Sequence, residues 1–197
     1  MSCRRARSLS GLTLIELLVG IALSAALMTL AAPSFRTQIA ASQLTSATNA
    51  LLGSLTQARA QAIRLGQRVT VCRSNDQTTC DTDRARGWET GWLVFVDATR
   101  ADSADVTVSV GDTILSRNER LPGALRVTGN PQVDDYISFA ASGQARTIAG
   151  GRMPLGTIRI CSTSPALRNN NRARDLALAT GGRVVSRDAG VVAADCS

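Results

Sequence analysis

Apolar residues run almost without interruption from Leu12 to Ala32, where only Thr13, Glu16, Ser24 and Thr29 are polar. Wound as a helix, this run rises about 30 Å, the thickness of a hydrocarbon core, and so predicts a transmembrane helix over 12–32. Beyond it the pattern turns amphipathic. Leu44, Leu51, Leu55, Ala58 and Ala62 step by seven, four, three and four, while Ser42, Asn49, Thr56 and Arg59 fall elsewhere. That spacing predicts a helical stalk over 33–66 with one buried stripe, stopped by the left-handed freedom of Gly66. Pro33, at the junction, removes one helical hydrogen bond and is expected to kink the helix.

After Gly66 the period shortens towards two. Val69 and Val71 alternate with Arg68, Thr70 and Cys72, and Val106, Val108 and Val110 alternate with Thr107 and Ser109, which predicts two half-buried strands. Trp92 to Val96 is apolar on both faces and suits a strand covered by the helix on one side. Further strands are expected near Leu125–Thr128, Tyr136–Ala140, Gly156–Cys161, Asp175–Ala179 and Arg183–Ser186. The expected class is α+β: a long N-terminal helix packed on an antiparallel β-sheet domain over 67–197.

Charge sets the orientation. Arg4, Arg5 and Arg7 precede the apolar run with no acid among them, so residues 1–11 stay cytoplasmic and everything after Pro33 lies outside the inner membrane, in the periplasm. A secretory signal, the alternative, has a shorter apolar region, a small-x-small cleavage site and no acid within. Glu16 is that acid. A carboxylate at a bilayer centre costs about 3 kcal/mol, so it marks a function. An unpaired carboxylate there would protonate.

The net charge is +7, and all 22 basic residues are arginine. Residues 76–135 hold eleven acids against six arginines, whereas residues 136–197 are basic and suit an anionic partner. The chain has no histidine, which removes the commonest acid-base catalyst and the commonest metal ligand. Asp97, Asp102 and Asp105 lack the spacing that places ligands around calcium, so an acidic turn is expected and no cofactor. Apart from Cys3 in the leader, four cysteines remain: Cys72, Cys80, Cys161 and Cys196. In an oxidising compartment two disulfides are expected, and of the three pairings Cys72–Cys80 with Cys161–Cys196 is favoured. It closes a short local loop and staples the chain end to an inner strand. A zinc site is the alternative, without a C-x-x-C pair or a histidine to support it.

The segment Gly11-Leu12-Thr13-Leu14-Ile15-Glu16-Leu17-Leu18-Val19 resembles the processing site of type IV prepilins and type II secretion pseudopilins: a basic leader ending in Gly, then an apolar stretch with Glu at its fifth position. The resemblance implies cleavage between Gly11 and Leu12 by a prepilin peptidase, methylation of the new amino terminus, use of the apolar segment as membrane anchor and filament core, and pairing of Glu16 with the amino terminus of Leu12 on a neighbouring subunit, which sets subunit register during assembly. Leu12 stands where the family usually has Phe. Arg86-Gly87-Trp88-Glu89-Thr90-Gly91-Trp92-Leu93-Val94-Phe95-Val96-Asp97 looks like a signature of the FimT and GspH group of minor pilins and pseudopilins, and Phe139, Gly143 and Gly182-Arg183 sit where that group has characteristic strand and turn elements.

The resemblance implies a pilin-like fold, no enzymatic activity, and a subunit at or near the tip of a pilus or pseudopilus with other pilin or pseudopilin subunits as partners. Some members of the group act as DNA receptors in natural transformation through a G-R-x-R motif. Here that place reads Gly182-Arg183-Val184-Val185, and the second arginine, Arg187, comes two positions late. Four residues apart in a strand, Arg183 and Arg187 share a face, so a DNA-contacting pair is the alternative expectation, with Arg172 and Arg174 as further candidates.

Overall fold

The computed structural model describes residues 13–98, 106–121, 123–147, 155–179, 181–193 and 196, without the side chains of 29–33. Gly11, Leu12, the leader, Asp102 and Asp105 lie outside them. Helix α1 spans Leu14–Leu65, passes position 33 without interruption, and ends at Gly66, whose φ of 65° is the left-handed stop. The chain divides between Gln38 and Ile39 into two units.

The first unit contributes the N-terminal part of α1. Among the described residues its large apolar side chains are exposed, Leu14, Ile15, Leu17, Leu27 and Met28 among them. Among the described residues no helix is long and apolar enough to cross a membrane. The run read from the sequence extends over Leu12 and the side chains of 29–32, which are not described.

In the second unit, the rest of α1 buries Ala40, Leu44, Ala47, Leu51, Leu55, Ala58 and Ala62, the expected stripe extended by two alanines. Two antiparallel sheets share this core. The first has the order β3-β2-β1-β5-β6, from β1 (Val69–Arg73), β2 (Trp92–Val96), β3 (Thr113–Asn118), β5 (Tyr136–Phe139) and β6 (Ala145–Arg146). The second has the order β4-β7-β8-β9, from β4 (Leu125–Gly129), β7 (Gly156–Ser162), β8 (Ala173–Leu178) and β9 (Val184–Asp188). Val71, Val94 and Phe139 from the first sheet and Val127, Ile158, Ile160 and Leu176 from the second pack with the helix stripe in one cluster. Each buried Leu or Ile contributes about 2 kcal/mol, so the stripe is what secures the stalk to the domain.

The outer faces are closed locally. Leu93 and Phe95 meet Cys72 and Val106 behind the first sheet, and Cys161 and Ala173 meet Val192 and Cys196 behind the second. Disulfides join Cys72 to Cys80 and Cys161 to Cys196, in the first case across a loop of sequence separation 8 and in the second across 35. Inside the short loop Asp76 is held well below the usual carboxylate range by the backbone N–H groups of Thr79 and Thr78 and by the Thr79 hydroxyl.

One expected strand is absent. Val106–Ser109 is not a strand and Val110 is almost wholly exposed, although Val106 is buried. Asp112 accepts hydrogen bonds from the N–H groups of Ala98 and Ser109 and turns the chain, and the free edge of β2 is taken by β3 instead. The alternation of 106–110 is real, but the β2 edge is already paired with β3.

Candidate functional site

Four groups of residues carry the chemistry. At the start of α1, the Glu16 carboxylate accepts the Thr13 N–H at 3.0 Å and the Thr13 hydroxyl at 2.9 Å, while the Glu16 N–H donates to Thr13 Oγ1 at 3.3 Å. This is a reciprocal capping box, Thr at the cap and Glu three residues on, which satisfies backbone donors that a helix start leaves open. Glu16 therefore has a local partner that sequence reading missed, although the T-x-x-E spacing was there to be read.

The segment Arg86–Trp92 joins the two sheets. Trp88–Thr90 forms a single 3₁₀ turn, and Glu89 reaches from it to accept the Val127 N–H of β4 at 2.8 Å while its own carbonyl accepts the Leu121 N–H. A Cβ on Gly87 would stand 2.3 Å from the Val127 carbonyl oxygen, and one on Gly91, at φ 121°, 2.6 Å from the Asn118 carbonyl oxygen. The glycines let a tight turn fit between the sheets. Trp88 is fully buried and its indole N–H donates to the Val133 carbonyl at 3.2 Å. The buried Trp92 N–H, by contrast, has no partner among the described residues.

Arg73, at the end of β1, is fully buried. Its guanidinium pairs with Asp135 at 2.6 Å and donates to the carbonyls of Asp83 and Arg86, tying the end of β1 and the segment after Cys80 to the β4–β5 turn. Beside it, Asp134 lines a polar cleft of about 260 Å³ with Arg84, Arg86, Glu89 and Arg126. Burial pushes the Asp134 carboxyl above the usual carboxylate range, against the pull of Arg73. A raised folded-state value means that ionisation opposes folding once pH exceeds the unfolded value near 4. Asp134→Asn is therefore expected to raise the melting temperature at pH 7 and to leave it unchanged near pH 3. An equal shift at both pH values would show that the charge is not the cause.

The C-terminal arginines separate by strand register. Arg172 is buried and donates to the carbonyls of Ser162 and Leu167, so it holds a turn and offers nothing to a ligand. Arg174 is paired with Asp188 at 3.0 Å and sits in register with the core residue Ile160, on the opposite face of the sheet from Arg187. Arg183 and Arg187 are exposed and line one groove of about 610 Å³ with Leu155, Thr157, Ala177 and Val185. Of the four candidates, the structure brings these two together and sets Arg172 and Arg174 aside. In the same row as Arg187, across β8, the outer face carries Arg159, whose Nε and Nη2 grip both oxygens of Asp175 at 2.8 and 2.9 Å. Asp175 is also the register partner of Arg187, so its carboxylate is already engaged from the other side.

Among the described residues no cluster of Cys, Asp and Glu is arranged to hold a metal. No curated protein matches the chain. Among solved structures, the type IV minor pilin FimU of Pseudomonas aeruginosa matches at 17% identity with a TM-score of 0.52, over 74% of this chain and 89% of that one. A second crystal form of FimU gives 18% identity and a TM-score of 0.46, over 76% of this chain and 91% of that one. At such identity the likeness is one of fold: a helix against antiparallel sheets. A family model described as Type II transport protein GspH matches residues 47–182, well over half of the chain and inclusive of the Gly87–Trp92 clamp and Gly182. The chain therefore belongs to the GspH family of pilin and pseudopilin structural subunits, which are not enzymes.

Proposed function

We propose that the chain is a minor pilin or pseudopilin, made as a precursor, cleaved between Gly11 and Leu12 by a prepilin peptidase, anchored in the inner membrane by residues 12–32, and assembled with other pilin-type subunits at or near the tip of a type IV pilus or type II secretion pseudopilus. Pro33 bends the helix where the anchor meets the stalk. The supporting observation is Glu16, a carboxylate at the head of an apolar helix whose large side chains, among the described residues, are exposed. In the isolated subunit it is satisfied by Thr13. In a filament, exchange of those hydrogen bonds for the charged amino terminus of a neighbour pairs two charges that hydrocarbon would otherwise penalise. Glu16→Ala and Glu16→Gln are expected to leave the protein membrane-bound and processed but at least about tenfold depleted from sheared filaments, measured by immunoblot. Undiminished incorporation would overturn the assembly role.

A second reading, DNA binding during natural transformation, is favoured by the placement of Arg183 and Arg187 on one groove. Two phosphate contacts give weak binding that falls with salt and ignores sequence. On this reading Arg183→Ala with Arg187→Ala abolishes a low-salt gel shift, and an unchanged shift removes it.

A further inference from the structure

The groove beside β9 has three properties that a merely solvated basic face does not need. First, its two guanidiniums are uncommitted: neither Arg183 nor Arg187 makes an ion pair among the described residues, because Arg159 holds both oxygens of Asp175 and Arg174 holds Asp188. Second, the strip between them is mostly apolar, built from half-buried Val185 and Ala177 with Thr157 in the same row and exposed Leu155 alongside. Third, β9 is an edge strand, with β8 on one side and no strand among the described residues on the other.

The backbone register tells which groups that edge offers. The Ala179 N–H donates to the Arg183 carbonyl, and the pairs Ala177 with Val185 and Asp175 with Arg187 follow at every second position. In an antiparallel ladder, residues at those positions turn their N–H and C=O groups towards the partner strand, and the residues between turn theirs away. Val184, Ser186 and Asp188 therefore turn backbone donors and acceptors to the outer edge, where they meet no partner among the described residues. Arg183, Val185 and Arg187 stand on the outer face beside them, and the arginines are about 13 Å apart along the strand.

We propose that this edge takes an extended acidic segment of a neighbouring pilin-type subunit as an added strand. Its side chains at alternate positions would run acid, apolar, acid: a carboxylate against Arg187, an apolar side chain against Val185, and a carboxylate against Arg183. Main-chain hydrogen bonds to Val184, Ser186 and Asp188 supply affinity, and the alternate side chains supply choice of partner. A phosphate backbone would meet the arginines but leave the apolar floor and the open edge unused, so the peptide uses more of the site. The inference rests on the assembly reading, which Glu16 tests separately: filaments lost with Glu16→Ala but kept with the groove variants would sink this contact and leave that reading standing.

The experiment uses the detergent-solubilised full chain and fluorescence anisotropy of labelled pentapeptides, Asp-Thr-Val-Thr-Asp and its Asn-Thr-Val-Thr-Asn counterpart, with a labelled single-stranded oligonucleotide as the second probe. The acidic peptide is expected to bind at least about tenfold tighter than the Asn peptide. That advantage should vanish in Arg183→Gln with Arg187→Gln. It should also vanish in Ser186→Pro, which deletes an outward N–H at an edge position where proline is tolerated and leaves both arginines in place. Equal affinity for the two peptides overturns the proposal, as does wild-type peptide binding by Ser186→Pro. An oligonucleotide that binds tighter than the acidic peptide and responds to the arginine variants alone also overturns it, in favour of a phosphate site.

Discussion

Arg73→Ala is expected to lower the unfolding free energy by about 3 kcal/mol, as is Asp135→Ala. The guanidinium is fully buried and Asp135 is 30% exposed, so the two single changes fail for different reasons. Without Arg73, the carbonyls of Asp83 and Arg86 lose their donor and a long side chain leaves a cavity. Without Asp135, a buried cation keeps only carbonyl partners. Since each single change already destroys the pair, the double variant should lose clearly less than the sum, and the shortfall measures their coupling. Denaturant unfolding of the full chain, followed by fluorescence of the buried Trp88 and Trp92, reports it. A loss below about 1 kcal/mol for both single variants would mean that the segment after Cys80 holds its place without this pair.

Arg73 also shows where sequence reading stops. The helix stripe was legible from its steps of seven, four, three and four, β1 from alternation and β2 from a short run apolar on both faces, and β4, β5, β7, β8 and β9 lie close to where strands were expected. β3 was not: Ile114 and Leu115 are adjacent, its exposure alternates only between exposed and half-buried, and an edge strand with a shallow face leaves a weak period. β6, two residues long, leaves none. The disulfides follow from parity and compartment, but Arg73 carries no local mark at all. A buried arginine is specified by the residues that fold around it, and Asp135 stands 62 positions away.

The same limit explains the C-terminal arginines. Composition makes residues 136–197 basic, but only the register of β8 against β9 reveals that Asp188 neutralises Arg174, and only the folded turn after β7 shows that Arg172 is interior. The family signature fared better, because Gly87, Glu89 and Gly91 act within a few residues of one another. What the motif could not say is that its Glu reaches a β4 backbone 38 positions later.

Gly182→Ala is expected to cost about 3 kcal/mol, and two neighbouring glycines separate its causes. Gly182 has φ 79°, which a side chain adopts only under strain, and a Cβ built there would stand 2.1 Å from the Gly143 carbonyl oxygen. Gly190 has φ 74° but open space around it, so Gly190→Ala should cost only the strain, about 1 kcal/mol. Gly181 has neither constraint, and Gly181→Ala should be neutral or stabilise by about 0.5 kcal/mol through the unfolded chain. The contact at Gly182 matters because the Gly143 carbonyl also accepts the Nε–H of Arg59 at 2.9 Å, so three elements meet at one oxygen: α1, the turn between β5 and β6, and the turn between β8 and β9. A methyl group there pushes the β8–β9 turn off the helix, with Arg183 next in the chain. Gly182→Ala is therefore expected to combine the largest loss of stability in the series with weakened acidic-peptide binding at β9, while Gly190→Ala and Gly181→Ala bind normally. If Gly182→Ala and Gly190→Ala cost the same in denaturant unfolding, the triple contact contributes nothing and the glycine is there for its backbone angle alone.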